Sequence, residues 1–515
     1  MNASDFLPAE FNVASWFVDR PVAEGRGAAP AFHCEGRVLS YADVRELADR
    51  TGNALRELGV EMEHRVVMIC LDAPEFLGTF WGAIKIGAVP VPVNTLLRAP
   101  DYRYVLDDSR ARVAVVSAPL LAEVTPALEG ARHLRHVLVA GGAPGPHLSF
   151  EEHVGRAPAT LEAAVTSRDD VAFWQYSSGS TGRPKGAVHL HHDMAVAAET
   201  YGKQVLGIRP TDKVYSAAKL FFAYGLGNAG YFPMSVGAQS VLYPGRPAPD
   251  AVFDLIARHR PTIFFAVPTL YAAMLAAKEG ERPLDLSSLR LCVSAGEALP
   301  ADLYRRWLER FGVEIIDGIG TTESGHIFLS NRPGAVRPGS SGLPVPGYDC
   351  AIVDDEGHPV APGEIGNLRV RGDSIMAYYW NQHDKTKATL FGPWIQTGDK
   401  YHQDADGYFW YDGRGDDMLK VGGIWVSPVE VENTLVGHPA VLEVAVVGHE
   451  DTDRLVKPKA FVVLKDGQAA APALGEELKG FVKDKLAPYK YPRWIEFVPA
   501  LPKTATGKIQ RFKLR

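Results

Sequence analysis

Short apolar runs alternate with longer amphipathic stretches through the first two-thirds of this chain. Val66–Cys70, Ala88–Val93, Val113–Ser117 and His136–Val139 are brief and largely apolar, which predicts buried strands. Tyr41–Leu58 and Pro300–Phe311 repeat at helical spacing, and the second sets Leu303, Trp307, Leu308 and Phe311 on one face. Such alternation predicts α/β layers built on largely parallel sheets. From about Gly339 to Tyr411 the strands shorten and turns crowd together, as in GHPVAPGEIGNLRVRG. That texture predicts an antiparallel sheet or a small barrel. After Arg414 the last hundred residues alternate again, as a small α+β unit.

Composition narrows the picture. A chain of 515 residues is too long for one ordinary domain. With 46% hydrophobic and 22% charged residues it is globular rather than disordered or fibrous. A net charge of −7 gives no general reason to expect nucleic acid or an anionic membrane as partner. The four cysteines (Cys34, Cys70, Cys292 and Cys350) are far apart and form no CxxC pair. That argues against a disulfide framework and a cysteine zinc site. The N-terminus lacks a basic region followed by an apolar run, so no signal peptide is expected and the cytoplasm is the expected location. The best membrane candidate, Phe76 to Val93, contains Lys85, glycines and prolines; it reads as a helix ending near Ile86 followed by a strand. From Lys479 onward, ten lysines and arginines face only Asp484 and Glu496, either as a solvated face or as a surface turned toward an anion.

The strongest local signal is YSSGSTGRPKG, Tyr176 to Gly186, after the strand-like DDVAFWQ. Ser177, Ser178, Gly179, Ser180, Thr181 and Gly182, followed by Lys185, give a loop of N–H groups, hydroxyls and one cation that suits polyphosphate. It is not a Walker A loop, because Gly186 follows the lysine. A second glycine pattern, Gly225-Leu-Gly227-Asn-Ala-Gly230, fits GxGxxG but lacks the acid expected at the end of the next strand, Ser240–Tyr243. The His189, His191 and His192 cluster reads as packing at a helix start. There is no HExxH and no GxSxG, so a metal hydrolase or serine hydrolase has no support.

These residues resemble the adenylate-forming superfamily of acyl- and aryl-CoA synthetases, luciferases and peptide-synthetase adenylation domains. Its other motifs follow in order: GEALP at 296–300, IGTTE at 319–323, TGD at 397–399, GRGDD at 413–417 and PKTATGK at 502–508. The resemblance implies a large N-terminal domain of two parallel α/β sheet layers plus a small barrel-like part over residues 1–413. It further implies a hinge at 414–416, centred on Asp416, and a mobile α+β domain over 417–515. Its co-substrates are ATP and coenzyme A, with Mg²⁺.

Residue by residue, the resemblance implies that Lys508 bridges the substrate carboxylate and the α-phosphate, that Thr322 touches that phosphate, and that Glu323 helps to hold Mg²⁺. Lys185 and the hydroxyl-rich loop would hold the outer phosphates. Asp399 would accept from the ribose diol beside Arg414. Gly296, Glu297, Ala298, Asp317, Gly318, Ile319 and Thr321 would line the nucleotide. Ile319 stands where the family usually has a tyrosine, so it keeps apolar contact with adenine but loses ring stacking. Gly422 and Gly423 would border a pantetheine channel. Lys490 and Arg493 would face CoA phosphates, or else bulk solvent.

The phrases KLFFAYGLGN (219–228) and GIGTTESGHIFLSNRP (318–333) are similar to benzoate–CoA ligases. That similarity places Ala223, Tyr224, Ala295, Gly320, His326 and Ile327 around an aromatic carboxylic acid, with small residues leaving a flat slot. Ser324-Gly325 replace bulkier apolar residues expected in strict benzoate enzymes. The expectation is a wider slot or an added hydroxyl, suiting 2-amino-, 2-hydroxy- or 4-hydroxybenzoate. An amino-acid adenylation domain would need an aspartate near residues 221–224, where Phe-Phe-Ala-Tyr stands. A monomer or homodimer is expected.

Overall fold

The computed structural model describes residues 2–177, 183–277, 284–415, 417–421, 424–452, 455–487, 489–503 and 509–515. Two parallel sheets organise the first two-thirds. One has five strands in the order Val89–Pro92, Arg65–Ile69, Val113–Ser117, His136–Ala140 and Leu148–Ser149, all parallel. The other has nine strands. Its middle six, Pro30–Cys34, Gln239–Leu242, Lys213–Ser216, Ile263–Ala266, Leu291–Ser294 and Ile315–Gly320, are parallel. Antiparallel strands close both edges, with Arg37–Ser40 at one and Ile327–Ser330 then Leu343–Pro344 at the other. Parallel sheets are covered on both faces, which is why these strands read as unbroken apolar runs. The valines of Val113–Ser117 are fully buried.

The helices Tyr41–Glu57 and Pro74–Lys85 pack closely because Gly82 lies against the Ala48 carbonyl; a Cβ on Gly82 would come within 2.7 Å of that oxygen. Ser40 caps the first of them by accepting the Asp43 N–H. The helix Ala301–Phe311 keeps the expected face at Leu303, Trp307 and Phe311 and departs from it at Leu308. Leu303, Tyr304 and Trp307 are buried, whereas Leu308 is 36% exposed. Trp307 instead packs on Tyr271 and Phe311. The second glycine pattern is helical, spanning Ala223–Gly225 and Leu226–Tyr231, and is not a strand-to-helix nucleotide turn.

Residues 349–414 form an antiparallel sheet around the long strand Trp394–Gln403, which pairs with Gly366–Arg371, Leu390–Phe391 and Phe409–Arg414. Among the described residues this pairing branches rather than closing into a barrel. A three-stranded sheet, Tyr378–Tyr379, Lys185–Leu190 and Val171–Ser177, lies between this region and the parallel layers.

The chain after 417 has a core of its own, built from residues such as Val431, Leu435, Val446, Val462 and Leu478. Val441–Glu450 and Val456–Leu464 pair antiparallel, with Trp494–Phe497 alongside, and the helices Pro428–Val436 and Pro472–Lys483 cover one face. Several of its basic residues are held in ion pairs. Lys479 pairs with Glu476, Lys490 with Glu430, Lys503 with Glu443 and Arg511 with Glu432.

Lys85 ends the helix Pro74–Lys85 at 2% exposure, with Nζ 2.5 Å from Asp49 and 2.6 Å from Asp19. This ion group ties the N-terminal segment to both packed helices. Lys85→Ala leaves two carboxylates facing each other without their cation. It is expected to cost about 3–5 kcal/mol, read as a lowered midpoint of guanidinium unfolding followed by tryptophan fluorescence.

Candidate functional site

Apart from Lys490 and Arg493, the predicted site residues that the structure describes lie around the end of the strand Ile315–Gly320, the start of the strand Lys185–Leu190 and the middle of the long strand Trp394–Gln403. Ser178, Gly179, Ser180, Thr181, Gly182, Asp416, Gly422, Gly423 and Lys508 lie outside the described residues. Those that remain form three groups.

The first surrounds Glu323. Its Oε1 accepts from Ser177 Oγ at 3.0 Å and from the Tyr379 hydroxyl at 2.6 Å. Lys185 Nζ donates to the same Tyr379 oxygen at 3.2 Å and stands 4.3 Å from the ring centroid. Burial pulls the Lys185 ammonium below its ordinary pKa, opposed by Glu323 and reinforced by Lys385 and Arg414. Arg414 and Glu323 therefore belong to one electrostatic neighbourhood. Thr321 caps the short turn Thr322–Ser324 by accepting the Ser324 N–H. Met376 N–H donates to the Glu323 carbonyl, at 2.8 Å.

The second group is Asp399 and Arg414, opposite each other on paired strands. Arg414 Nη1 donates to Asp399 Oδ1 at 2.9 Å and to the Thr397 carbonyl at 3.1 Å. Gly398 takes φ +79°, and a Cβ there would stand 3.0 Å from the Arg414 guanidinium. The turn of TGD thus needs glycine for its backbone and for the arginine.

The third group lines the ends of the parallel strands. Asp317 is fully enclosed, with Oδ2 taking the Leu299 N–H at 3.3 Å. Burial raises its carboxyl to about 8. Gly296 follows at φ +91°, and Glu297 accepts from Thr269 Oγ1 at 3.1 Å. Ile319 pairs with Leu329 across the sheet edge. The Tyr224 hydroxyl donates to the Val293 carbonyl at 3.1 Å, one strand from Asp317. His326 packs on Tyr224 at 5.7 Å and on Phe232 at 4.5 Å between centroids. Ala223, Ala295 and Ile327 are buried around them.

Three features revise the sequence reading of this slot. A Cβ on Gly320 would fall 2.4 Å from the His326 carbonyl, so the tight hairpin already requires glycine there. The Ser324 hydroxyl is engaged by backbone: it donates toward the His326 carbonyl at 2.8 Å and accepts the Thr321 N–H at 3.0 Å. It therefore stiffens the turn instead of offering a hydroxyl to a ring. Gly325, at φ +73°, serves the same turn.

Residues 20–380 match the AMP-binding enzyme family, and residues 430–508 match the AMP-binding enzyme C-terminal domain. The chain belongs to the AMP-binding enzyme family. A benzoate–CoA ligase of Thauera aromatica is 53% identical, covering 99% of this chain and 96% of the relative. A 4-hydroxybenzoate–CoA/benzoate–CoA ligase of Rhodopseudomonas palustris is 52% identical over 98% of this chain and 94% of the relative. Among solved structures, an anthranilate CoA ligase in complex with anthranoyl-AMP aligns with TM-score 0.95 and 49% identity, covering 100% of this chain and 98% of that one. No helix of the described residues is long and apolar enough to cross a membrane.

Within this AMP-binding enzyme, sequence reasoning missed Tyr379, which joins Lys185 to Glu323. A tyrosine pair in AYYW carries no pattern of its own; only the pairing of Tyr379 opposite Ala187 brings it to the site. Lys490 is also revised. Both Glu430 oxygens hold its ammonium, at 2.6 and 2.7 Å, so it is neither simply solvated nor open to an anion. Arg493 lies over the Tyr491 ring at 3.6 Å. For a divalent cation, the donor set is one carboxylate beside two hydroxyls, and among the described residues no group of three His, Cys, Asp or Glu is placed to hold a metal ion. That set suits Mg²⁺ shared with substrate phosphates rather than a closed protein cage.

A buried Asp317 holds its proton more tightly folded than unfolded. Its favourable contribution is complete below about pH 4 and is lost as pH rises toward 8. Asp317→Asn has no such titration. It is expected to be more stable than the parent by about 2–4 kcal/mol at pH 7, with the difference shrinking toward pH 4 in denaturant unfolding.

Proposed function

We propose that this chain is an ATP-dependent aryl-CoA ligase. It converts benzoate, or a substituted benzoate, to its CoA thioester through an aryl-AMP. The observation that carries the reading is the convergence of Lys185, Ser177, Tyr379 and Glu323 beside the Tyr224–His326 slot. It occurs in a chain 53% identical, end to end, to a benzoate–CoA ligase.

In the first half-reaction a carboxylate oxygen attacks the α-phosphorus of ATP, and the bond to the β-phosphate oxygen breaks, releasing pyrophosphate. Two anions must meet, so the site supplies cations and fixed donors. Lys185, with Ser177 and the 178–182 loop, holds the β- and γ-phosphates. Thr322 contacts the α-phosphate, and Lys508 bridges it to the substrate carboxylate. Asp399 receives the ribose diol, its carboxylate oriented by Arg414. Gly296, Glu297, Ala298, Asp317, Gly318, Ile319 and Thr321 border the nucleotide. Glu323 is the ligand for Mg²⁺, which when bound offsets phosphate charge.

In the second half-reaction the CoA thiol attacks the acyl carbon, the carbon–oxygen bond to AMP breaks, and the thiol proton goes to solvent. For this step the domain after 417 turns about Asp416, withdrawing Lys508 and bringing Gly422-Gly423 to the site. Since Glu430 already holds Lys490, Arg493 is the cation left to meet CoA phosphate. A monomer or homodimer and a cytoplasmic location complete the reading.

A second reading, a 2-aminobenzoate enzyme, is favoured by one observation. His326 Nε2 faces two acceptors, the Tyr224 carbonyl and Asn228 Oδ1, and so carries the ring proton. Nδ1 is then a buried acceptor with no partner among the described residues, suited to the N–H of an amino substituent on the ring.

The test is pyrophosphate release with ATP and Mg²⁺, with and without CoA, across benzoate, its 2-amino, 2-hydroxy and 4-hydroxy forms, acetate and phenylalanine. Turnover with an aryl acid that rises on adding CoA is expected. Release confined to acetate or phenylalanine would sink the slot assignment, and release indifferent to CoA would point to a carrier protein as acceptor. Lys508→Ala is expected to cut pyrophosphate release by about 10²–10³-fold, yet to leave thioester formation from supplied benzoyl-AMP nearly intact.

A further inference from the structure

We propose that His189, gripped by Asp193, is a positioning residue that locks the turn carrying Thr322 and Glu323 for the first half-reaction. The inference rests on the aryl-CoA ligase reading.

His189 is wholly buried on the strand Lys185–Leu190 and stacks on Phe173, with centroids 4.9 Å apart and planes 12° apart. Its Nδ1 lies 2.7 Å from Asp193 Oδ2. That oxygen also accepts the Leu190 N–H at 3.1 Å, and His192 Nε2 stands 3.2 Å from the other oxygen. Oδ1 has no hydrogen-bond partner among the described residues, so the carboxylate is fixed through Oδ2 alone, by the Leu190 N–H and the His189 ring whose plane it sets. Nε2 lies 2.8 Å from the Thr322 carbonyl. A carbonyl only accepts, so Nε2 is the donor.

The turn's next two carbonyls are held in the same manner by other elements. Met376 N–H donates to Glu323 O, and Ser374 Oγ donates to Ser324 O at 2.7 Å. Three consecutive carbonyls thus meet donors from outside the turn, and only His189 supplies its donor from the strand that begins with Lys185. Residues four apart on a strand project from the same face. One strand therefore presents the cation and pins the turn presenting the carboxylate, which sets their separation. A histidine serving only as apolar filler would need neither the buried acid behind it nor a carbonyl in front.

The two amide replacements separate these contacts. In His189→Gln the side-chain N–H₂ reaches the position of Nε2 and can still donate to Thr322. In His189→Asn it reaches only the position of Nδ1, toward Asp193. The experiment measures benzoate-dependent pyrophosphate exchange, thioester formation from supplied benzoyl-AMP, and amide hydrogen exchange of a peptide spanning Thr321–Gly325.

The expected result is a fall of about 10–100-fold in exchange kcat for Asn, with the benzoate KM little changed, and faster amide exchange in the turn. Gln should stay within several-fold of the parent. Thioester formation should be preserved in both. Equal loss in Gln and Asn, full exchange activity in Asn, or equal loss of both half-reactions would overturn the positioning role. If His189→Asn is insoluble, Asp193→Asn probes the same link and must slow exchange several-fold; an unchanged rate refutes the proposal. A parent enzyme with no aryl-dependent exchange, but with exchange on another acid, refutes the substrate reading and this inference with it.

Discussion

A carboxylate can be joined to ATP only if two negatively charged groups are held together in a site where water has been thinned out. Every cation and donor there must then be stationary before substrate arrives. The Thr321–Gly325 turn meets this constraint through its backbone. Its carbonyls are tied to His189, Met376 and Ser374, and its one free-standing carboxylate is steadied by Ser177 and Tyr379. The donors come from three separate stretches of chain: Ser177, His189 and the segment 374–379. Much of the fold, from the strand at 171 to the one at 378, can be understood as the scaffold for those few hydrogen bonds.

Buried charge plays a similar part farther from the centre. Asp72 accepts the Leu220 N–H at 3.1 Å and faces Lys219 at 3.8 Å, while Lys219 also donates to the Tyr243 and Gly245 carbonyls. The pair pins the entrance of the segment that carries Ala223 and Tyr224. Burial raises the Asp72 carboxyl to about 6, the Lys219 charge working against that rise. Together with the Lys85 group, it shows the N-terminal layers joined by specific ionic contacts as well as apolar packing.

The alternation of strand and helix was legible in the chain because buried parallel strands leave unbroken apolar runs, and Val113–Ser117 and Tyr41–Glu57 follow the reading within a residue. The nucleotide motifs were legible because glycines and hydroxyls near a phosphate leave a spaced signature. Leu308 escaped, since helical spacing does not reveal where a neighbour ends. Tyr379 and His189 escaped for a related reason. Their roles come from strand pairing and from contacts across more than 100 positions, Tyr379 with Lys185 and His189 with Thr322, for which the sequence has no local mark. Ser324 misled because a hydroxyl beside a slot looks like a ligand contact until the backbone has claimed it.

The ion pairs of the C-terminal region have one more implication. Lys459–Glu496, Lys479–Glu476, Lys490–Glu430, Lys503–Glu443 and Arg511–Glu432 join residues that all lie beyond 417. A body whose charges are matched inside itself can change its orientation without stranding any of these ions in a new environment. For these five pairs, the energy of reorientation is then nearly independent of angle. In the turning motion proposed above, these five pairs would therefore favour neither position.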